Sequence, residues 1–270
     1  MSITKAGDIN LEYHAEGSGP PLLMIMGFAG SASSWGDPFL QALRPNFTCI
    51  RFSNRGTGLS DKPEVQFSIR TLADDAVNLL TALDIERPHV FGVSMGGLIA
   101  QELVLAYPQR VNGLVLGCTS SGVSHGVQAT SETLARMAPT PGLSPDQMIR
   151  NAWPAICSHT FIERGVGFLE GMLASSLAIP TPLETLGRQM VAIQTFDSYD
   201  RLPQVRAKTL VIHGDSDLLV PPENGRIVAE RIPGAELVMI PGVGHMFFWE
   251  EPEHAARLIT EFLSRVPAAA

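Results

Sequence analysis

The chain has 270 residues, with 19 Lys and Arg against 27 Asp and Glu, a formal net charge of −8. Apolar residues make up 45% and charged residues 17%, which suits one large folded domain, or a core of roughly 150–200 residues with an insertion. The acidic balance, with no run of Lys or Arg, argues against nucleic acid or an anionic membrane surface as the main partner.

The first strong apolar run, residues 22–26, reads as a strand. It is short and follows Asp8, Glu12 and Glu16, so it lacks the basic start and longer apolar stretch of a signal peptide. No stretch approaches the ~18 apolar residues of a membrane helix, and a cytoplasmic location is expected. Further apolar runs at 49–52, 89–93, 114–116, 209–212 and 237–240 read as strands, several apolar throughout, as strands covered on both faces should be. Residues 71–83 open with Thr71-x-x-Asp74, a capping-box pattern, and carry Leu72, Ala76, Leu79, Leu80 and Leu83 on one helical face. Residues 98–107 have helical spacing. Pro252 begins a last helix with Ala255, Leu258, Ile259 and Phe262 at helical intervals. Such alternation implies a mostly parallel sheet with helices on both faces.

The alternation stops over residues 119–203. This stretch has no Lys, five Arg and seven acidic residues, and four of the ten Met. Helical spacing is expected at 131–137, 145–153, 163–173 and 183–196, with Pro/Gly breaks at 139–142 and 180–182. It reads as a helical insertion in a core formed by residues 1–118 and 204–270, with a frayed end at Ala268, Ala269 and Ala270. Its Met and aromatic side chains suit packing against the sheet, and some suit the lining of an adaptable apolar pocket. The three cysteines, Cys49, Cys118 and Cys157, are odd in number and widely spaced, which fits neither a disulfide framework nor a zinc site.

Chemistry concentrates at the ends of the apolar runs. Gly92-Val93-Ser94-Met95-Gly96-Gly97 places a serine between a strand and a helix, where a sharp turn lifts the hydroxyl and aims helix N–H groups towards a developing oxyanion. Gly122-Val123-Ser124-His125-Gly126 matches the same pattern but follows a polar stretch, so Ser124 reads as a loop residue. A serine needs a base to accept its proton. Gly242-Val243-Gly244-His245, after the run at 237–240, offers His245, whereas His14, His89, His159 and His254 read as structural. The base in turn needs a carboxylate. His213-Gly214-Asp215-Ser216-Asp217 supplies two, and Asp217 is preferred because the turn would use Asp215 to cap backbone N–H groups. A metal site at His213, Asp215 and Asp217 lacks any further ligand cluster. Met26-Gly27-Phe28-Ala29-Gly30-Ser31 follows the first strand, and the N–H groups of Phe28 and Met95 form the expected oxyanion-hole pair. No phosphate loop or dinucleotide fingerprint occurs.

With these residues in place the chain resembles the α/β-hydrolase fold superfamily over nearly its whole length. Ser94, Asp217 and His245 come in that family's order, and the turn Asn54-Arg55-Gly56-Thr57-Gly58-Leu59-Ser60-Asp61 looks like the family's own. The resemblance implies a mostly parallel central sheet flanked by helices, with residues 119–203 as a helical cap or lid. Met26 stands where many relatives have His, Ala29 replaces a common Pro, and Asn54 a common Asp.

A serine nucleophile sets the chain apart from the dehalogenases and epoxide hydrolases of this fold, which use Asp. Ser94-Met95-Gly96-Gly97 looks most like carboxylesterases, enol-lactonases and cofactor-free perhydrolases, which implies hydrolysis of an ester or lactone with no metal or organic cofactor. Carbon–carbon bond hydrolysis or perhydrolysis by the same triad is the first alternative, and Val93 counts against the former, where Asn is common. A non-catalytic receptor is the second. The substrate is expected to be a small, largely apolar molecule, with Phe28, Trp153, Leu218 and Phe247 as pocket candidates.

Overall fold

A computed structural model describes residues 1–138 and 140–267. Pro139, part of the anticipated Pro/Gly break, and the anticipated frayed end at Ala268, Ala269 and Ala270 lie outside the described residues. Eight strands form one sheet: β1 (Ser2–Ala6), β2 (Ile9–Gly17), β3 (Pro21–Ile25), β4 (Thr48–Phe52), β5 (His89–Val93), β6 (Gly113–Gly117), β7 (Lys208–Gly214) and β8 (Glu236–Ile240). Their spatial order is β1-β2-β4-β3-β5-β6-β7-β8. β2 runs antiparallel to β1 and β4, and the remaining neighbours pair in parallel.

Eleven helices accompany them among the described residues: α1 (Asp37–Leu43), α2 (Ile69–Ala82), α3 (Met95–Ala106), α4 (Ser131–Met137), α5 (Pro145–Ile156), α6 (His159–Arg164), α7 (Val166–Ala178), α8 (Leu183–Gln194), α9 (Glu223–Arg231), α10 (Phe247–Glu250) and α11 (Pro252–Leu263). The period of two along the strands sorts the core into two halves. Leu23, Ile25, Val90, Leu114 and Leu116 pack with α2, α3 and α9. Leu22, Met24, Phe91, Val115 and Ile212 pack with α1, α10 and α11 on the other face. This is the α/β-hydrolase architecture, with α4 to α8 inserted between β6 and β7.

All six anticipated strands are present, and β1 and β2 are additions. Their pattern hides them. β1 buries only Ala6, and β2 breaks its alternation by burying Glu12, whose carboxylate accepts hydrogen bonds from Ser53 Oγ and Leu59 N–H, each at 2.8 Å.

Helix bounds also moved. α2 begins two residues before Thr71, because Ser68 is its N-cap and Thr71 is the reciprocating third position of the box. Asp74 instead pairs with Arg70 and the Tyr107 hydroxyl. The helix expected over 163–173 is two helices meeting at Gly165, and α5 runs through Pro154 to Ile156. No single described helix is long and apolar enough to cross a membrane; α7 and α8 together have that length and composition but bend by 108° where they meet.

Candidate active site

The parallel strands end on one edge of the sheet, and their exit loops carry the chemistry-bearing residues. Ser94 links β5 to α3 with φ 56° and ψ −124°, a positive-φ conformation that costs an L residue about 1–3 kcal/mol. The fold holds it there. Ser94 N–H donates to Gly117 O at 2.9 Å, while Ser94 O accepts from Gly97 N–H and Thr119 Oγ1, each at 2.8 Å. Gly92 and Gly96 are required by proximity, since a Cβ on either would collide with backbone: Gly96 O for the first, Ile25 O for the second.

His245 follows β8 and is 3% exposed; its Nδ1 lies 2.7 Å from Asp217 Oδ2. Asp217, after β7, is equally buried and has its other oxygen, Oδ1, bonded by the N–H groups of Leu219 and Val220 at 2.9 Å each. His213 Nε2 approaches Oδ2 at 3.1 Å as well. Burial drives the Asp217 carboxyl pKa upward, but His245 and His213 beside it outweigh this and hold it down at about 2. Burial likewise disfavours a charged His245, and the Asp217 carboxylate overrides it, raising the imidazole pKa well above the ordinary histidine range. Asp215 is exposed and caps Gly242 N–H at 2.7 Å. Ser124 is exposed in the loop after β6.

Ser94 and His245 share one cavity of about 250 Å³, near the small end of ligand pockets. The loop after β3 forms one wall. A Cβ on Gly27 would stand 3.0 Å from Ser94 Cβ, so this loop abuts the serine turn. The N–H groups of Phe28 and Met95 have no partner among the described residues. Asn54 Nδ2 donates to Met26 O at 3.1 Å, a bond that an Asp there could not make unless protonated. Ala29 is also left-handed, with φ 62°.

A family model for the alpha/beta hydrolase family matches residues 22–257. The chain belongs to this family. As a hydrolase it has relatives with varied names. It is 30% identical over 265 residues to a putative non-heme bromoperoxidase, BpoC, of Mycobacterium tuberculosis, covering 96% of this chain and all of that one. It is 33% identical over 246 residues to a poly(3-hydroxyalkanoate) depolymerase of Ectopseudomonas oleovorans, covering 91% and 84%. Among solved structures, a thermophilic esterase from Thermogutta terrifontis superposes with a TM-score of 0.81 at 26% identity, covering 97% and 96% of the two chains.

Three of the hydrolase's anticipated pocket residues do not line the cavity. Phe247 is wholly buried beneath it, against Phe91 and Gly117. Leu218 is 55% exposed and faces a separate outer groove with Thr133 and Pro221. Trp153 stacks on the Arg150 guanidinium and packs beside Phe161 and Leu169. Their neighbours take the places instead: Leu219, Met246, Phe248 and Trp249 from the core, and Ile149, Ala152 and Ile156 from α5. Phe28 does line the cavity, joined by Met137 and Met172. Side-chain direction at one-residue precision decides this, and an apolar run offers no such signal. Cys118 also lines the cavity and His213 abuts Asp217, while Thr181 and Gln189, which hydrogen-bond the Ala29 backbone, carry no signal in the sequence that marks them.

Proposed function

We propose that the protein hydrolyses a neutral, largely apolar carboxylic ester or lactone through an acyl-enzyme. Ser94 Oγ attacks the carbonyl carbon as His245 Nε2 takes its proton, and Asp217 stabilises the imidazolium so formed. The N–H groups of Phe28 and Met95 receive the tetrahedral oxyanion. Collapse releases the alcohol with the proton held by His245, and a water activated by the same imidazole frees the acid. The inserted helices act as the cap. These residues require no metal or organic cofactor.

The observation that carries this reading is a serine on a strained turn that shares a cavity with an Asp-bound histidine. The cavity wall sharpens it. Among the described residues no Asp, Glu, Lys or Arg lines it, so apart from the His245 imidazole, already paired with Asp217, a substrate carboxylate would meet no cationic side chain there. The esterase and depolymerase names of the relatives agree with ester chemistry.

Replacement of Ser94 by Ala should lower turnover of short aryl esters by at least about 10³-fold, with thermal unfolding unchanged. Retained turnover would overturn the assignment. A panel adding vinylogous diketones, and peroxide with acetate, separates ester hydrolysis from carbon–carbon cleavage and perhydrolysis. The ester should show the highest specificity constant, and neutral esters should exceed carboxylate-bearing ones of equal length.

A further inference from the structure

Ala29 joins two unusual features. Its backbone is left-handed, and both of its peptide groups are held by side chains of the inserted segment, one from α8 and one from the α7–α8 connection, rather than by its own loop. Ala29 N–H donates to Gln189 Oε1 at 2.9 Å, and Ala29 O accepts from Thr181 Oγ1 at 3.0 Å. The two partners lie 160 and 152 residues away in sequence. Gln189 is fully buried in α8, and its Nε2 has no partner among the described residues. Packing alone would favour Leu or Met there, since neither leaves a buried N–H unsatisfied. What the glutamine supplies is an acceptor for one amide.

We infer that Gln189 and Thr181 are positioning residues that hold the loop after β3 in the conformation that presents the Phe28 N–H to the oxyanion. The Phe28 N–H lies one peptide unit before the Ala29 N–H, so a change of the Ala29 φ towards ordinary negative values would shift the short loop that carries the Phe28 donor. The Ala29 N–H is taken by a buried side chain from α8 rather than by a neighbouring loop carbonyl. α8 itself is seated for the purpose: Thr185 packs against Gly56, and Ala192 enters the main core. The assignment rests on the oxyanion role proposed for Phe28.

The test combines Thr181→Val and Gln189→Leu, singly and together, with Ala29→Gly added to the pair. Activity on a neutral aryl ester is measured alongside amide hydrogen exchange across residues 27–30, which needs no substrate. The double variant should lose about 10- to 100-fold in kcat while KM stays within about twofold, as loss of an interaction made in the transition state requires. Its Ala29 amide should exchange faster. Adding Ala29→Gly should recover at least part of the lost kcat, because glycine takes positive φ freely. A role in stability alone would give a loss that follows the melting temperature and is not recovered, and that result would overturn the inference. So would unchanged kcat in the double variant. If the wild-type protein turned over no ester, the oxyanion reading would fail while exchange still judged the clamp: an unprotected Ala29 amide in the wild type, or equal protection in the double variant, refutes it.

Discussion

Burial disfavours a charged His245 ring, while the Asp217 carboxylate 2.7 Å from Nδ1 favours one, and the carboxylate wins. The outcome bears on activity and stability in opposite senses. In the proposed reaction the base must be neutral to accept the Ser94 proton, so kcat/KM should rise with pH through an apparent pKa above the ordinary 6.5. The stabilisation from a raised histidine pKa is fully present below 6.5 and is lost as pH climbs through the raised value. Asp217 works at the other end: its lowered pKa stabilises the fold above about 3.9, and this is lost as pH falls towards about 2. Over the alkaline rise in activity the protein should therefore become less stable. A pH–rate profile with an ascending limb at or below 6.5 would contradict the account. Replacing Asp217 with Asn should lower that limb and remove both contributions to stability. Cys118, at the same cavity, is buried, which pushes its thiol pKa up and keeps it neutral beside the imidazole.

The turn between β5 and α3 shows how an element constrains a residue. At Gly96 two effects compete. Alanine is the better helix former by about 1 kcal/mol, but its Cβ would overlap the carbonyl of Ile25 in the neighbouring central strand. Overpacking of this kind costs roughly 1–3 kcal/mol, and β3, hydrogen-bonded on both sides, has little room to yield. Gly96→Ala should therefore destabilise the protein by about 1–2 kcal/mol, read as a lower denaturant midpoint at unchanged slope. A higher midpoint would show that helix and strand can separate. The same turn explains what the sequence made legible. Ser94, Asp217 and His245 each follow a short apolar run whose end is visible, so their placement on one edge of the sheet could be read from chain order. Ser124 was separable from Ser94 because no such run precedes it. The cavity wall was less legible: Leu218 and Leu219 are chemically alike, and only the loop's path turns one out and the other in. β1 and β2 were hidden for a different reason, since a buried Glu12 serving Ser53 and Leu59 reads as a solvent-facing charge until its partners are known.

At the scale of the molecule the five inserted helices are attached unequally. α8 buries Thr185, Gln189 and Ala192, and Ala192 joins the same apolar cluster as α2 and α3. α6 and α7 contribute Phe161 and Leu169 to a smaller cluster with Cys157, against which Met246 and Trp249 pack. The junction of α5 and α6 is tied to the His245 loop: Ser158 N–H and Gly244 N–H both donate to Glu250 Oε1, and Met246 N–H to Ile156 O. α4 buries only Thr133, and α5 only Ala155. Local opening follows the apolar contact it must break, so α4 and the first turns of α5 should open at low free energy, while α8 should open only with the sheet. The helices least anchored are those that carry Met137, Ile149 and Ala152 into the cavity. The easiest local opening thus falls on a segment that walls the cavity. Hydrogen exchange under native conditions should show α4 and early α5 exchanging well before α8. Occupying the cavity with an alkyl phosphonate bound to Ser94 should slow exchange in α4 and α5, by giving those side chains new apolar contacts, and leave α8 unaltered. Equal exchange in α4 and α8 before labelling, or slowing confined to α8 afterwards, would place the mobile wall elsewhere.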